Sequence, residues 1–248
     1  MSDIRSERLL PFVAQRIKPF IEEVLIGYPE NMHSIHIVGS SVTEDFHEKT
    51  SDINTIFVLK DMDLKFIKAT APLGKKYKEN SIAAPLIMTP EYIMRSLDVF
   101  PIEFLDFHLI HETVFGKDIL KDIEINKVDL RNQCEREVKI KLIGLIQGYI
   151  SSLGDKSLLT ERLVNSIAGY LPLFRGIIFL MGKEPPIRRH EVLSALSAAT
   201  EINTDIFRRI LDIKKRKLKL TKDELFTVFD EYYIATEKIG KIIDELQV

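Results

Sequence analysis

The first hydrophobic pattern in the chain has the spacing of an amphipathic helix. Between residues 6 and 27, apolar side chains recur three and four positions apart, which predicts a helix with one buried face. That face consists of Leu9, Leu10, Val13, Ile17, Phe20, Val24 and Leu25. Pro11 suits a first helical turn, whereas Pro19 lacks a backbone donor and predicts a kink.

Short runs rich in β-branched residues follow, separated by turn residues, which is typical of strands. The predicted strands cover 34–38, 53–59, 84–88, 102–107 and 111–115. We expect a short helix from about Asp63 to Ala71 and a lysine-rich mobile loop over 73–80. Another helix is predicted after Thr89, which acts as its N-cap, with Pro90 in the first turn.

After about residue 120, the pattern changes to helical stripes without a convincing strand. The predicted helices cover 131–150, 158–181, 189–198, 204–213 and 222–246. The patterns therefore predict an α/β (α+β) domain with a small mixed sheet over 1–120, followed by an all-α helical bundle over 121–248.

Composition narrows the class of protein. The 248 residues are 45% hydrophobic and 29% charged, which is typical of a folded globular chain. The net charge of -2 excludes a bulk basic field that would attract nucleic acid. The one cysteine, Cys134, excludes an internal disulfide, and we expect it to be an ordinary helix residue. Without a signal peptide or an apolar stretch long enough to span a bilayer, we expect a cytoplasmic protein with no membrane partner.

The polar chemistry concentrates in the middle of the predicted sheet. A strand ends at Val38, Gly39 and Ser40 form a turn, and a polar connection leads to a strand that opens with Asp52. Glycine lets backbone N–H groups approach a phosphate closely, and a serine hydroxyl beside it can donate to a phosphate oxygen. A helix starting after Ser40 would point its positive end at the same place. Asp52 and Asn54 are two residues apart on a strand, so they share a face that suits magnesium.

This run resembles the active-site pattern of the nucleotidyltransferase superfamily, which includes DNA polymerase beta and the kanamycin nucleotidyltransferases. The family pattern is a hydrophobic residue, Gly, Gly or Ser, a variable spacer, then Asp, a hydrophobic residue, and Asp or Glu. Gly39 and Ser40 match the turn and Asp52 matches the first carboxylate, but Asn54 replaces the second carboxylate. The resemblance implies that a nucleoside triphosphate binds at Gly39, Ser40 and Ser41, with Mg as the cofactor.

The family also places a third carboxylate on a later strand. On the predicted strand over 102–107, Glu103 is the first choice for this position and Asp106 the second. The resemblance thus implies Asp52, Asn54 and Glu103 as catalytic residues, with Asp52 and Glu103 as metal ligands. Two divalent ions need several anionic ligands to offset their repulsion, so we expect one metal at most.

Other polar groups have simpler interpretations. Asp61 and Asp63 follow a predicted strand, where turn formation and helix capping are expected. The polar spacer before Asp52 is expected to be a solvated loop, although His47 or Lys49 could reach a bound nucleotide. The histidines at positions 108 and 111 lack a carboxylate and cysteine set at zinc spacing, so we expect no structural zinc site there.

Two functions remain open. As an enzyme, the protein would transfer a nucleoside monophosphate from a nucleoside triphosphate to a hydroxyl or phosphate group of a small-molecule, RNA or protein acceptor. Alternatively, it keeps the fold as a catalytically impaired nucleotide-binding or regulatory protein, with the helical half as a partner or homodimer surface. The nucleotidyltransferase half of a toxin–antitoxin system is a third hypothesis. A basic run over 214–219 could bind RNA, but a solvated linker is favoured.

Overall fold

The structure is a computed structural model that describes residues 4–49 and 51–248. The chain divides into two compact units. The first comprises the residues up to Asp98 together with Glu103–Ile125, and the second comprises Val99–Ile102 together with Asn126–Val248. The division into an α/β domain over 1–120 and a helical domain over 121–248 stays a prediction.

A small sheet forms the centre of the first unit. In chain order, the elements up to residue 116 are α1 (Pro11–Gly27), β1 (Met32–Val38), a 3₁₀ turn (Gly39–Val42), β2 (Asn54–Leu59), α2 (Leu64–Lys76), a second 3₁₀ turn (Lys78–Asn80), β3 (Leu86–Met88), α3 (Pro90–Ser96), α4 (Pro101–Leu109) and β4 (His111–Gly116). The strands lie in the order β3-β2-β1-β4. β1 runs antiparallel to β2 and β4, whereas β3 runs parallel to β2. The predicted small mixed sheet is confirmed.

Alternation along the strands divides their side chains between two faces of the sheet. One face packs against α1 and α2, and we call it the α1 face; its buried residues include Ile35, Ile37, Phe57 and Leu59. The other packs against α3 and α4, and we call it the α4 face; its buried residues include Val38, Ile56 and Val58. Because both faces are covered, β1 and β2 are almost continuously buried, and solvent reaches β2 at its first residue.

The N-terminal helix starts later than predicted. α1 begins at Pro11 rather than near residue 6, because proline fits a first helical turn, where its missing N–H has no intrahelical partner to lose. Pro19 lies inside α1, and the helix continues beyond it to Gly27.

The lysine-rich stretch after residue 73 is ordered, so the predicted mobile loop over 73–80 is wrong. α2 begins after the N-cap Asp63, whose carboxylate accepts a backbone N–H at 2.8 Å, and it continues to Lys76. Glu23 of α1 accepts hydrogen bonds from Lys76 and, at 2.9 Å, from the hydroxyl of Tyr77. A tertiary contact therefore fixes a segment whose composition alone indicates a solvated loop.

Residues 101–109 form a helix, so the predicted strand over 102–107 is wrong. α4 begins at Pro101, which fits a first helical turn. Phe104 and Phe107 are nearly one turn apart, and their ring centroids lie 5.9 Å apart at nearly a right angle. A short apolar run satisfies the pattern of a buried strand or of a buried helix, and here packing against the sheet selects the helix. The next predicted strand is confirmed as β4.

The second unit is built from helices, as predicted. They are α5 (Lys127–Ser151), α6 (Lys156–Ser166), α7 (Tyr170–Leu180), α8 (Arg189–Thr200), α9 (Asp205–Arg216) and α10 (Lys222–Glu245). The single helix predicted over 158–181 is two helices, because Gly169 adopts a left-handed conformation with φ of 76° between α6 and α7. The buried rings of Tyr170, Phe174, Phe207 and Tyr232 contact one another in the core of this unit.

Among the described residues, no single helix is both long and apolar enough to cross a membrane. Only when taken together do α6 and α7 reach the length and apolar composition of a membrane span. This pair is bent by 42° at the break between the two helices. Most of α7 is buried in the core described above.

Replacing Gly116 by alanine is expected to destabilise the protein strongly. Gly116 ends β4 with φ of 74°, and an added Cβ would overlap the carbonyl oxygen of His33. Strain and steric clash together are expected to lower the free energy of unfolding by roughly 3 kcal/mol, or to prevent folding. Urea denaturation followed by circular dichroism measures the change.

Gly74→Ala is the matched control, because Gly74 lies within α2 with nothing within 4 Å of an added Cβ. Its replacement should raise the free energy of unfolding by up to about 1 kcal/mol, since alanine is the better helix former. Equal losses of stability in the two variants would contradict the close backbone approach described for Gly116.

Candidate active site

The chain turns sharply where β1 ends. Gly39 has φ of 69°, a conformation that favours glycine, and its N–H donates to the carbonyl oxygen of Ile110 at 3.0 Å. Gly39–Val42 form a single 3₁₀ turn. An α-helix starting after Ser40, which would direct its positive end at a phosphate, is not formed here, and four residues do not align enough peptide dipoles to supply a helix-terminal field.

The two serines of this turn use their side chains differently. Ser41 is fully buried, and its hydroxyl donates to the carbonyl oxygen of Asp52 at 3.2 Å. Ser40 is partly exposed, and its carbonyl oxygen accepts from Thr43. Ser41 therefore ties the turn to the start of β2, and the Ser40 side chain is the more accessible of the two.

Asp52 and Asn54 lie together at the exposed start of β2. Ile53 between them is fully buried, so alternation directs the two exposed polar side chains to the opposite side. Asn54 is opposite Val38 in the register between β1 and β2. The structure thus brings the Gly39 turn, Asp52 and Asn54 to one end of the sheet, while their roles stay predictions.

Neither candidate for the third carboxylate lies on a strand. Glu103 and Asp106 are predicted as members of a strand, and both lie on α4 instead. The strand that neighbours β2 on its outer side is β3, and its residues, Leu86–Met88, carry no carboxylate. On β4, Glu112 is opposite Ile37 and therefore belongs to the α1 face. A role for Glu103 stays a prediction that rests on the resemblance alone.

The donors at this end of the sheet fit one magnesium ion better than two. Asp52 offers a carboxylate and Asn54 an amide oxygen, and both are ligand types that magnesium accepts. One negative charge does not offset the repulsion between two divalent ions a few ångströms apart. These residues therefore suit a single ion that the phosphates of a nucleotide also bind.

The connection between the turn and β2 is largely exposed. Glu44, His47 and Glu48 are exposed, as expected of a solvated loop, whereas Phe46 packs against the core of the α1 face. Thr50 lies outside the described residues. The apolar contact of Phe46 anchors the middle of this connection while its charged residues face solvent.

A second polar cluster lies on the α4 face, between β1 and the edge strand β4. The rings of His36 and His111 are 5.9 Å apart, and a carboxylate oxygen of Asp118 lies 3.0 Å from Nε2 of His111. The hydroxyls of Ser34 and Thr113 lie 2.9 and 2.8 Å from the ring nitrogens of His36. Sequence reasoning missed His36 and Asp118; the available signal is a histidine at an inward position of a buried strand.

Burial governs the charge of this cluster. It lowers the pKa of His36 to about 4, with a further contribution from His111, so His36 is neutral at neutral pH. Burial raises the pKa of Asp118, but His111 and the Lys121 N–H outweigh that effect and hold the pKa below its usual value. The cluster therefore combines a neutral imidazole with an ionised carboxylate.

Comparison with known proteins rests on structure. No protein-family model and no curated protein matches the sequence. The crystal structure of spectinomycin adenyltransferase AAD(9) from Enterococcus faecialis with ATP and spectinomycin matches with a TM-score of 0.52 and 11% identity, over 91% of this chain and 98% of that chain. A nucleotidyltransferase-like protein from Exiguobacterium sibiricum 255-15 matches with a TM-score of 0.41 and 12% identity, over 92% of this chain and 74% of that chain.

The likeness to AAD(9) concerns architecture. It extends over nearly the full length of both chains, and at 11% identity it shows the fold alone. The motif formed by Gly39, Ser40 and Asp52 agrees with that architecture. The chain therefore has the fold of the nucleotidyltransferase superfamily.

Proposed function

We propose that this protein binds a nucleoside triphosphate with magnesium and transfers its nucleoside monophosphate to an acceptor hydroxyl. The observation that carries the proposal is the hydrogen bond from the Ser41 hydroxyl to the Asp52 carbonyl oxygen at 3.2 Å. It holds a glycine-containing turn beside an exposed carboxylate at one end of the sheet. The superfamily fold supports the same reaction class, and the AAD(9) structure contains ATP.

Each residue of this site would have a distinct task. Gly39 has no side chain, so the backbone of the turn can approach a phosphate closely. The Ser40 hydroxyl would donate to a phosphate oxygen. Asp52, together with the amide oxygen of Asn54, would hold one magnesium ion. When bound, that ion would offset the charge that develops on the leaving pyrophosphate.

The transfer is a displacement at phosphorus. The acceptor oxygen forms a bond to the α-phosphorus, the bond to the oxygen that bridges the α and β phosphates breaks, and pyrophosphate leaves. The acceptor's proton passes to solvent. We propose a small molecule as the acceptor, because the AAD(9) structure contains spectinomycin with ATP; RNA and protein acceptors are alternatives for the same assay.

A second function is nucleotide binding without transfer. It is favoured by the neutral amide of Asn54 and by the apolar composition of β3, which together leave Asp52 as the one carboxylate at the start of β2. A site with this charge can bind a nucleotide through the turn and yet stabilise the transition state poorly, because preorganised charge is usually the largest catalytic term.

Asn54→Asp separates these functions. Restoring a carboxylate beside Asp52 is expected to tighten binding of the magnesium–nucleotide complex and to raise nucleotide transfer by about tenfold or more. Calorimetry measures the affinity, and pyrophosphate release from each of the four nucleoside triphosphates measures transfer, with spectinomycin and other polyhydroxylated compounds as acceptors. Asp52→Asn should abolish both effects.

The control variants remove or add a carboxylate at positions away from the proposed site. Asp61→Asn removes an exposed carboxylate beyond the far end of β2, and Asn203→Asp adds one in the second unit; neither should alter binding or transfer. If Asn54→Asp binds the magnesium–nucleotide complex no more tightly than the wild type, the proposed site is wrong. Tight binding of the magnesium–nucleotide complex without nucleotide transfer, in the wild type or in Asn54→Asp, supports the second function.

The two serines provide a further prediction. Ser40→Ala is expected to weaken nucleotide binding roughly tenfold, the value of one hydrogen bond to a charged phosphate, with unchanged stability. Ser41→Ala is expected to lower the free energy of unfolding by about 1 kcal/mol, because it leaves the Asp52 carbonyl oxygen without its donor. Calorimetry and urea denaturation of both variants check this division, and a Ser40→Ala variant with wild-type affinity would contradict it.

A further inference from the structure

Three side chains from separate parts of the first unit meet on the α4 face of the sheet. One donor atom from each of His36, His111 and Asp118 lies within 4.8 Å of the others. Pairing of β1 with β4 brings the histidines together, because Val38 is opposite His111 and His36 is opposite Thr113. Alternation then directs His36 and His111 to the same face.

The surroundings of His111 call for a cation at its Nε2 atom. Nδ1 lies 3.1 Å from the carbonyl oxygen of His108, and Nε2 lies 3.0 and 3.2 Å from the two carboxylate oxygens of Asp118. Both partners are acceptors, so Nδ1 carries a proton and Nε2 faces either a second proton or a metal ion. An Nδ1–H that donates to a backbone carbonyl is also the arrangement that prepares Nε2 as a metal ligand.

His36 can supply a second nitrogen. It is fully buried, and its two ring nitrogens contact the hydroxyls of Thr113 and Ser34. A neutral imidazole has one lone pair available for a metal, and a hydroxyl rotates freely enough to release it. The free energy of the lost hydrogen bond is small compared with that of the coordination bond that replaces it.

We propose that His36, His111 and Asp118 bind a divalent ion of the zinc class. Two imidazole nitrogens and a carboxylate suit zinc, whereas magnesium prefers a shell made of oxygen. Ligand atoms on a tetrahedral zinc ion lie roughly 3.3 Å apart, so binding would draw donor atoms that now lie within 4.8 Å of one another closer together. Asp118 is 36% exposed and provides the route of entry, with water as the fourth ligand.

This site is separate from the proposed magnesium site. Asn54, Val38 and His111 form one row across β2, β1 and β4, so Asn54 and His111 are two strand spacings, about 10 Å, apart. The two sites use different residues, so a variant of one leaves the ligands of the other in place. The zinc would cross-link β1, β4 and the segment after β4, and the inference does not depend on the proposed function.

This site is not recognisable from the sequence, because His36 is far along the chain from the other two ligands. Zinc sites are recognised from close spacing, and positions 36, 111 and 118 come from two strands and the segment after the second strand. His108, which the sequence places near His111, instead donates from Nδ1 to the carbonyl oxygen of Leu120, 2.9 Å away, and its own carbonyl oxygen accepts from His111.

Metal titration of the full chain tests the proposal. After chelator treatment and dialysis, calorimetry with Zn²⁺ is expected to show one equivalent with a dissociation constant of about 1 µM or tighter. Co²⁺ used as a probe should give visible absorption bands of a four-coordinate site. His111→Ala and Asp118→Asn should weaken Zn²⁺ binding roughly 100-fold or more; Asp118→Asn keeps the size of the side chain and guards against misfolding.

His47→Ala and His190→Ala are the controls, because both histidines are exposed and outside the cluster. They should bind Zn²⁺ like the wild type, and so should Asp52→Asn, which separates failure of this inference from failure of the proposed function. Zn²⁺ should raise the melting temperature of the wild type and not that of Asp118→Asn. Absence of Zn²⁺ binding, or equal binding by wild type, His111→Ala and Asp118→Asn, would show that His111 and Asp118 form an ion pair alone.

Discussion

Pairing of β1 on both of its edges is the constraint on which the rest of the first unit depends. The register places Val38 opposite Asn54 on one side and opposite His111 on the other. A slip by one residue would move Ile35 and Ile37 off the α1 face and bring the polar side chains of Ser34 and His36 into its apolar core. The positions of Asn54 and His111 follow from that register, since each lies on a strand that pairs with β1.

Charge, rather than architecture, limits what the end of β2 can do. The turn at Gly39 and the carboxylate of Asp52 are held together by the buried Ser41 hydroxyl, so the two parts of the proposed nucleotide site lie side by side. Asn54 contributes an oxygen without a negative charge, and β3 contributes apolar side chains. A fold can therefore be kept while the negative charge at the end of one strand is reduced, because buried side chains stabilise the fold and exposed polar side chains supply the charge.

Local sequence patterns predict an element correctly where one local feature determines its structure. The β-branched runs predict β1, β2 and β4, and Thr89 with Pro90 predicts the start of α3, where the threonine side chain accepts from the N–H three residues later. The helix over 101–109 was not predictable in the same way, since its short apolar run fits two periods equally well. α2 exceeds its predicted length because Glu23, far away in the chain, binds its end.

The polar cluster around His36 shows the remaining limit of sequence reasoning. His36 is far along the chain from His111 and Asp118, and the antiparallel pairing of β1 with β4 makes neighbours of the two histidines. A buried histidine with two hydroxyl partners is satisfied without any metal, whereas His111 lies between a carbonyl oxygen and a carboxylate, both of which are acceptors. The demand for positive charge therefore lies at His111 and Asp118, and His36 supplies the neutral nitrogen that makes a metal ion a better occupant than a proton alone.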